Sequence, residues 1–202
     1  MNLRAIARQM GTASSALYRY FPSHDDLISA LCVDAFEAAA DAMATARDQV
    51  PLSDHAGRWK AVCGALRAWS LANRADFALI AGTPVPGYSA PWEVTGPAAA
   101  RYMAVPGGVY IAAVEAGAAN PDRTHIPLDL VPGPLLRDLT GRAGLAPSAQ
   151  VAGIVASAWA SVRGFLSMET FGSLPQSFLD LDALYQAHIQ TVMTGMGFGS
   201  EP

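Results

Sequence analysis

Apolar residues along this chain recur at three- and four-residue intervals, the spacing that gathers them on one face of an α-helix. Leu3, Ile6, Ala7 and Met10 set the pattern in a first short helix. Gly11 ends it, because glycine readily takes the left-handed conformation that follows a helix. Thr12 is placed to cap a second short helix over 14–19 that turns Leu17 inward, and Pro22 stops that helix. Ser23 then opens a capping-box pattern with Asp26, followed by the apolar positions Leu27, Ile28 and Leu31. No breaker intervenes until Pro51, so a third helix is predicted to run into the alanine-rich stretch near Met43.

Ser53 or Asp54 starts the next helix, with Trp59, Val62, Leu66 and Trp69 as its apolar stripe, and a short helix over 76–81 follows. Residues 82–92, GTPVPGYSAPW, carry too many prolines and glycines for regular structure. Pro97 suits a first helical turn, and the helical pattern resumes over 98–116. Pro106-Gly107-Gly108 is expected to kink or divide that helix. Residues 119–134 read as loop and 135–142 as a short helix. Pro147 opens a long helix to about Phe171, and 181–196 forms the last. Strand alternation is nowhere convincing, so the predicted fold class is all-α.

A chain of 202 residues with 51% hydrophobic content forms one compact unit, or a small head on a larger core. The longest apolar stretches are interrupted by Arg101 and Glu115, or by Gln150 and Arg163, and none approaches the ~18–20 residues that span a bilayer. The first residues lack a signal-peptide pattern. The expectation is a soluble cytoplasmic protein with no membrane partner, in which Cys32 and Cys63 are free buried thiols. The net charge of −4 is unevenly spread. Residues 1–24 hold Arg4, Arg8 and Arg19 and no acid, so the head carries +3 and the remainder −7. A basic head on an acidic body fits a DNA-binding module joined to a sensor domain.

The stretch LRAIARQMGTASSALYRYFPSHDDLISAL, Leu3–Leu31, resembles the end of the TetR-type DNA-binding domain. The resemblance rests on A-I-A-x-x-x-G, then L-Y-R-Y-F-P-S, then D-D-L. It implies a helix-turn-helix whose second helix enters the major groove, with residues 1–34 as the DNA-binding region and 35–202 as a helical ligand-binding and dimerisation domain. Carried over by position, Thr12, Ala13, Ser14, Ser15 and Ala16 form the tip of the recognition helix. Tyr18, Arg19, Tyr20 and His24 fall among the DNA-binding candidates, with the tyrosines and His24 directed to phosphates. Short Ser14, Ser15 and Ala16 allow close approach to base edges, and phenol hydroxyls suit phosphate oxygens. Two positions depart from the family pattern. Ala13 stands where serine is common, leaving Thr12 to cap, and His24 replaces lysine, so a permanent charge becomes one that titrates near neutral pH. The resemblance also implies a complete helix ahead of this motif, whereas the sequence starts at Met1-Asn2-Leu3. The expectation is either an upstream start or a head lacking that helix.

Further on, AWASVRGFLSMETFG, Ala158–Gly172, resembles a C-terminal subclass named for a Trp-His-Gly signature, with Arg163 in place of the histidine. The resemblance implies a homodimer through this helix and the last one. The dimer-interface candidates are Val155, Ala156, Trp159, Ala160, Val162, Leu184, His188 and Val192, on helices rich in small residues that permit close approach. Aromatic residues concentrate between 59 and 110, an inventory suited to a mostly apolar small-molecule effector. The ligand-binding candidates are Trp59, Trp69, Phe77, Tyr88, Trp92, Tyr102 and Tyr110, with Arg101 as a polar handle.

The histidines are dispersed, no Cys/His cluster has metal-ligand spacing, and no glycine-rich phosphate loop occurs. The reading is therefore not an enzyme, with no cofactor and no metal. It is a DNA-binding transcriptional regulator, a repressor released from a double-stranded operator by an effector. The alternative is a dimeric ligand-binding or interaction protein that has lost DNA binding.

Overall fold

A computed structural model of the chain describes residues 20–81, 87–127 and 129–199. Its helices are α1 (His24–Asp48), α2 (His55–Ala72), α3 (Arg74–Ala81), α4 (Trp92–Glu115), α5 (Pro134–Arg142), α6 (Ala149–Thr170) and α7 (Leu181–Gly195), with one 3-10 turn at Pro121–Arg123. Extended pairing among the described residues is limited to an isolated antiparallel bridge between Ala119 and Phe198. The fold is all-α.

The start of α1 is fixed by chemistry visible in the sequence. The Ser23 hydroxyl accepts the Asp26 N–H at 3.1 Å, and the Asp26 carboxylate accepts the Ser23 N–H at 2.9 Å, closing a capping box. Asp25 and Asp26 at the positive end of the helix, and Arg47 at the negative end, also favour it. Ile28, Cys32, Ala35, Ala39 and Met43 bury one face, and the helix continues unbroken across residue 34. Asp54 caps α2 in the same way, accepting the Gly57 N–H at 2.7 Å.

The largest departure from the expected elements is α4. It begins at Trp92 rather than after Pro97, and neither Pro97 nor Pro106 divides it. Each proline forfeits one backbone hydrogen bond, but tertiary packing holds the segment. Pro106 and Gly107 are buried, and a Cβ on Gly107 would lie 3.3 Å from Leu145 Cδ1. That glycine lets the segment after α5 approach the helix backbone.

The core is built by α1, α2, α4, α6 and α7 around Trp59, Leu66, Tyr102, Tyr110, Trp159 and Val162. Trp159 lies edge-on to Trp59 at 6.4 Å and to Tyr102 at 5.6 Å, geometries favourable to the ring quadrupoles. Near the end of the chain, Tyr110 donates its hydroxyl to the Met196 carbonyl at 2.7 Å, and the Asn120 N–H donates to the Gly197 carbonyl at 2.8 Å. Gly197 sits at φ +79°, where a side chain would be strained.

Helix α6 is long and apolar enough by length and composition to cross a bilayer, contrary to the sequence expectation that no such stretch exists. It is a core helix here, with 44% of its most apolar window buried inside the fold. Its Glu169 is only 4% exposed and is clamped by Arg67 of α2 through contacts of 2.6, 2.8 and 3.1 Å.

Candidate functional site

Thr12, Ala13, Ser14, Ser15, Ala16, Tyr18 and Arg19 lie outside the described residues. Tyr20 is 68% exposed. His24 opens α1 with its Nδ1 3.9 Å from the Asp25 carboxylate, at the junction between the head and the helical body.

The aromatic candidates separate into core and periphery. Trp59, Phe77, Tyr102 and Tyr110 are buried, and Trp69 packs partly against them. Phe77 stacks on Phe171 at 6.0 Å. Burial raises the Tyr110 hydroxyl to about 12. The peripheral candidates make links between elements. Tyr88 and Ser29 of α1 share a hydrogen bond of 3.0 Å. Burial pushes both the Tyr88 phenol and the Cys32 thiol up, while the Ser29 bond opposes the shift at Tyr88 and the Tyr88 bond opposes it at Cys32. The Trp92 indole donates to the Asp138 carboxylate at 2.5 Å, tying the start of α4 to α5. Arg101 bridges Glu37 and Asp41, joining α4 to α1, and its pKa rises through those two carboxylates.

A shallow, open cleft with about 70 Å³ of room lies between α4, α5 and α6, so a drug-sized ligand needs the walls to part. Its walls are Met103, Gly107 and Ile111 of α4, Leu136, Leu139 and Thr140 of α5, Ala143, Leu145 and Pro147 after α5, and Ala152, Val155 and Ala156 of α6. Thr140 supplies the one side-chain hydroxyl, and its Oγ1 already donates to the Leu136 carbonyl at 2.9 Å. None of the aromatic candidates lines this cleft. The sequence reading passed over its residues because they are aliphatic and indistinguishable by type from core. The amphipathic pattern of α5 is readable in the sequence, whereas only the structure shows that it contains no buried residue and leans over open space.

Outside the cleft lining, α2, α4 and α6 carry buried polar atoms without clear partners. Trp59 Nε1, Tyr102 Oη, Trp159 Nε1 and Arg163 Nε are each closed off from solvent with no well-aligned partner among the described residues, although the Trp159 indole is close enough to act on the Tyr102 hydroxyl. Burial raises the Tyr102 phenol to about 12, against the smaller opposing effects of the Arg163 charge and the adjacent Trp159 indole. An unmet buried donor costs about 1–3 kcal/mol, so these groups stand out in an otherwise well-packed core.

The dimer candidates also separate. Trp159 and Val162 are buried within the protomer by α2 and α4, and Val155 and Val192 are largely covered. Ala156 and Ala160 are exposed on α6, and Leu184 and His188 are half-exposed on α7. His188 stacks on Phe165 at 4.8 Å, and burial lowers its pKa. It borders a second open groove of about 400 Å³ between α6 and α7, with His125, Ser157, Ser161 and Thr191 around it. Among the described residues no group of three or more His, Cys, Asp or Glu is arranged to hold a metal ion.

Residues 59–192 match the family described as Tetracyclin repressor-like, C-terminal domain, and residues 1–31 match Bacterial regulatory proteins, tetR family. The HTH-type transcriptional regulators Rv1816 of Mycobacterium tuberculosis strain H37Rv and Mb1846 of Mycobacterium bovis are each 37% identical over 175 residues, covering 85% of this chain and 73% of theirs. The crystal structure of SCO4313, described as a regulatory protein, superimposes with a TM-score of 0.67 at 30% identity, covering 95% of this chain and 84% of the other. A Rhodococcus sp. RHA1 protein of unknown function shares the fold, with a TM-score of 0.69 at 23% identity over 98% and 85% of the two chains.

Proposed function

This chain belongs to the TetR family of bacterial regulatory proteins, and on that premise we propose that it is a cytoplasmic repressor released from its operator by a small, mostly apolar effector. As a member it is a transcriptional regulator with an N-terminal DNA-binding region and a C-terminal ligand-binding domain. The observation that carries the finer reading is the aliphatic cleft between α4, α5 and α6, continuous with the helix that Arg101 ties to α1. An effector that binds better to one spacing of α4 and α5 shifts the population of that state. The Arg101 bridge and the Tyr88–Ser29 bond give α1, which follows directly from the DNA-reading head, a mechanical stake in that spacing.

In this reading Thr12 to Ala16 meet base edges, Tyr18, Tyr20 and His24 contact the phosphate backbone, and Arg19 is a further DNA-binding residue. Residues 1–34 act as the DNA-binding region, and α1 carries the signal across the boundary. Two subunits meet through the outer faces of α6 and α7, where exposed Ala160 allows helices to approach closely, with Ala156 at the border between that face and the cleft. Trp159 and Gly164 support the Trp-His-Gly subclass, with Arg163 as this chain's departure. Titration of a fluorescent operator fragment, with and without cleft-binding compounds, tests the proposal. Compounds that raise the melting temperature are expected to lower DNA affinity, and Ile111→Trp, which fills the cleft, abolishes both effects. Binders that stabilise the protein yet leave DNA affinity unchanged refute the repressor reading.

A further inference from the structure

The buried donors of α2, α4 and α6 include a charge that no carboxylate among the described residues answers. Indole N–H and guanidinium groups only donate, and a phenol oxygen accepts two hydrogen bonds at most. Trp59, Trp159, Arg163 and Tyr102 therefore bring four buried donor hydrogens against one acceptor oxygen of their own, which the Trp159 indole already approaches, so most of the donors are left over. Trp159 stands between the other two rings, 5.6 Å from Tyr102 and 6.4 Å from Trp59. Arg163 follows it by one turn of α6 and lies near enough for its charge to act on the Tyr102 hydroxyl. Its Nη2 donates to the Ile80 carbonyl at 2.7 Å, but it makes no ion pair among the described residues, unlike Arg67, Arg101 and Arg142. A half-buried guanidinium without a carboxylate is costly unless an anion completes it.

We propose that this cluster is the head-group subsite for a monoanionic, carboxylate-bearing effector whose apolar body occupies the cleft. Arg163 supplies one positive charge and two of its planar donors, and a carboxylate matches that geometry. Tyr102 and Trp159 add an O–H and an N–H from either side, and Trp59 closes the apolar wall. Cleft and cluster share two helices: Met103 follows Tyr102 directly, and Val155 precedes Trp159 by one turn. Met103 is flexible and half-buried, so it is suited to swing aside as a ligand enters. The inference rests on the cleft being the effector site and adds to it a charge requirement.

Carboxylates and their uncharged counterparts separate the two ideas. Octanoate and 3-phenylpropionate are compared with octanol and 3-phenylpropanol on the full chain, using quenching of the buried tryptophans and melting temperature. The acids are expected to bind at least tenfold tighter than the alcohols. Arg163→Gln removes that preference while leaving alcohol binding intact, and Tyr102→Phe, which deletes one hydroxyl, reduces it several-fold. Circular dichroism checks that both variants fold. Equal binding of acid and alcohol overturns the head-group assignment while the cleft reading survives. A preference for acid that persists in both variants overturns it too, because the charge would then be recognised elsewhere. Failure of both acids to bind overturns it as well, and if the alcohols fail also, the cleft reading falls with it.

Discussion

Glu169 gives the sharpest test of how the body of this protein is held together. Its carboxylate is nearly inaccessible and receives both Nε and Nη2 of Arg67, a two-pronged contact that adds geometric specificity to charge. Arg67 lies over the Tyr185 ring at 4.8 Å and reaches Asp182 of α7 at 2.7 Å, so one guanidinium joins α2, α6 and α7. Replacing Glu169 with alanine strands a guanidinium that is 14% exposed. Removing one partner of a buried pair costs about 3–5 kcal/mol. Asp182 remains as a partner, but it is largely solvated and worth about 1 kcal/mol at most. The expected loss is therefore about 3 kcal/mol, or a fall of roughly 6–12 °C in melting temperature for a chain of this size. Glu169→Gln keeps an acceptor and the volume, and is expected to lose about half as much. Urea denaturation followed by circular dichroism reads both values. A Glu169→Ala loss below about 0.5 kcal/mol would refute the assignment of this pair as a buried clamp.

Gly197→Ala forces a left-handed backbone and brings a Cβ within 2.1 Å of the Asn120 carbonyl, so a loss of about 3 kcal/mol is expected in the same melts. His188 is held below its ordinary pKa by burial, so the folded state binds fewer protons than the unfolded one. Its stabilising contribution is present above about pH 6.5 and is lost as pH falls from there through the lower folded value. His188→Gln is expected to flatten the stability profile across that window. Trp92→Phe deletes the indole bond to Asp138 and is expected to cost about 1–2 kcal/mol locally, seen as faster amide exchange across α5 with little change in α2. Ala160→Arg is expected to leave the fold intact, since residue 160 is exposed, and to give a monomeric mass by light scattering if the α6–α7 face joins two subunits.

Much of the secondary structure was determined locally. Ser23 and Asp26 name the start of α1 because both halves of a capping box are written three residues apart. The 3.6-residue recurrence of Ile28, Cys32, Ala35, Ala39 and Met43 names its buried face without reference to any other helix. The motif over Leu3–Leu31 likewise carried the family resemblance, since a turn glycine, an aromatic cluster and a capped helix at fixed offsets form a local pattern. Tertiary structure decided what local rules leave open. Pro97 predicts a helix start and Pro106 a kink or break, yet α4 begins at Trp92 and runs through both because burying Pro106, Gly107 and their neighbours outweighs two missing backbone bonds. Aromatic residues between 59 and 110 suggest a pocket, but large rings fill space best when packed against each other, so Phe77 and Tyr110 are packed in the core. The open space fell instead between aliphatic walls, where α5 leans on α4 without being buried. The unpaired charge of Arg163 was equally invisible in sequence, because a missing partner is a fact about neighbours in space rather than about the residue itself.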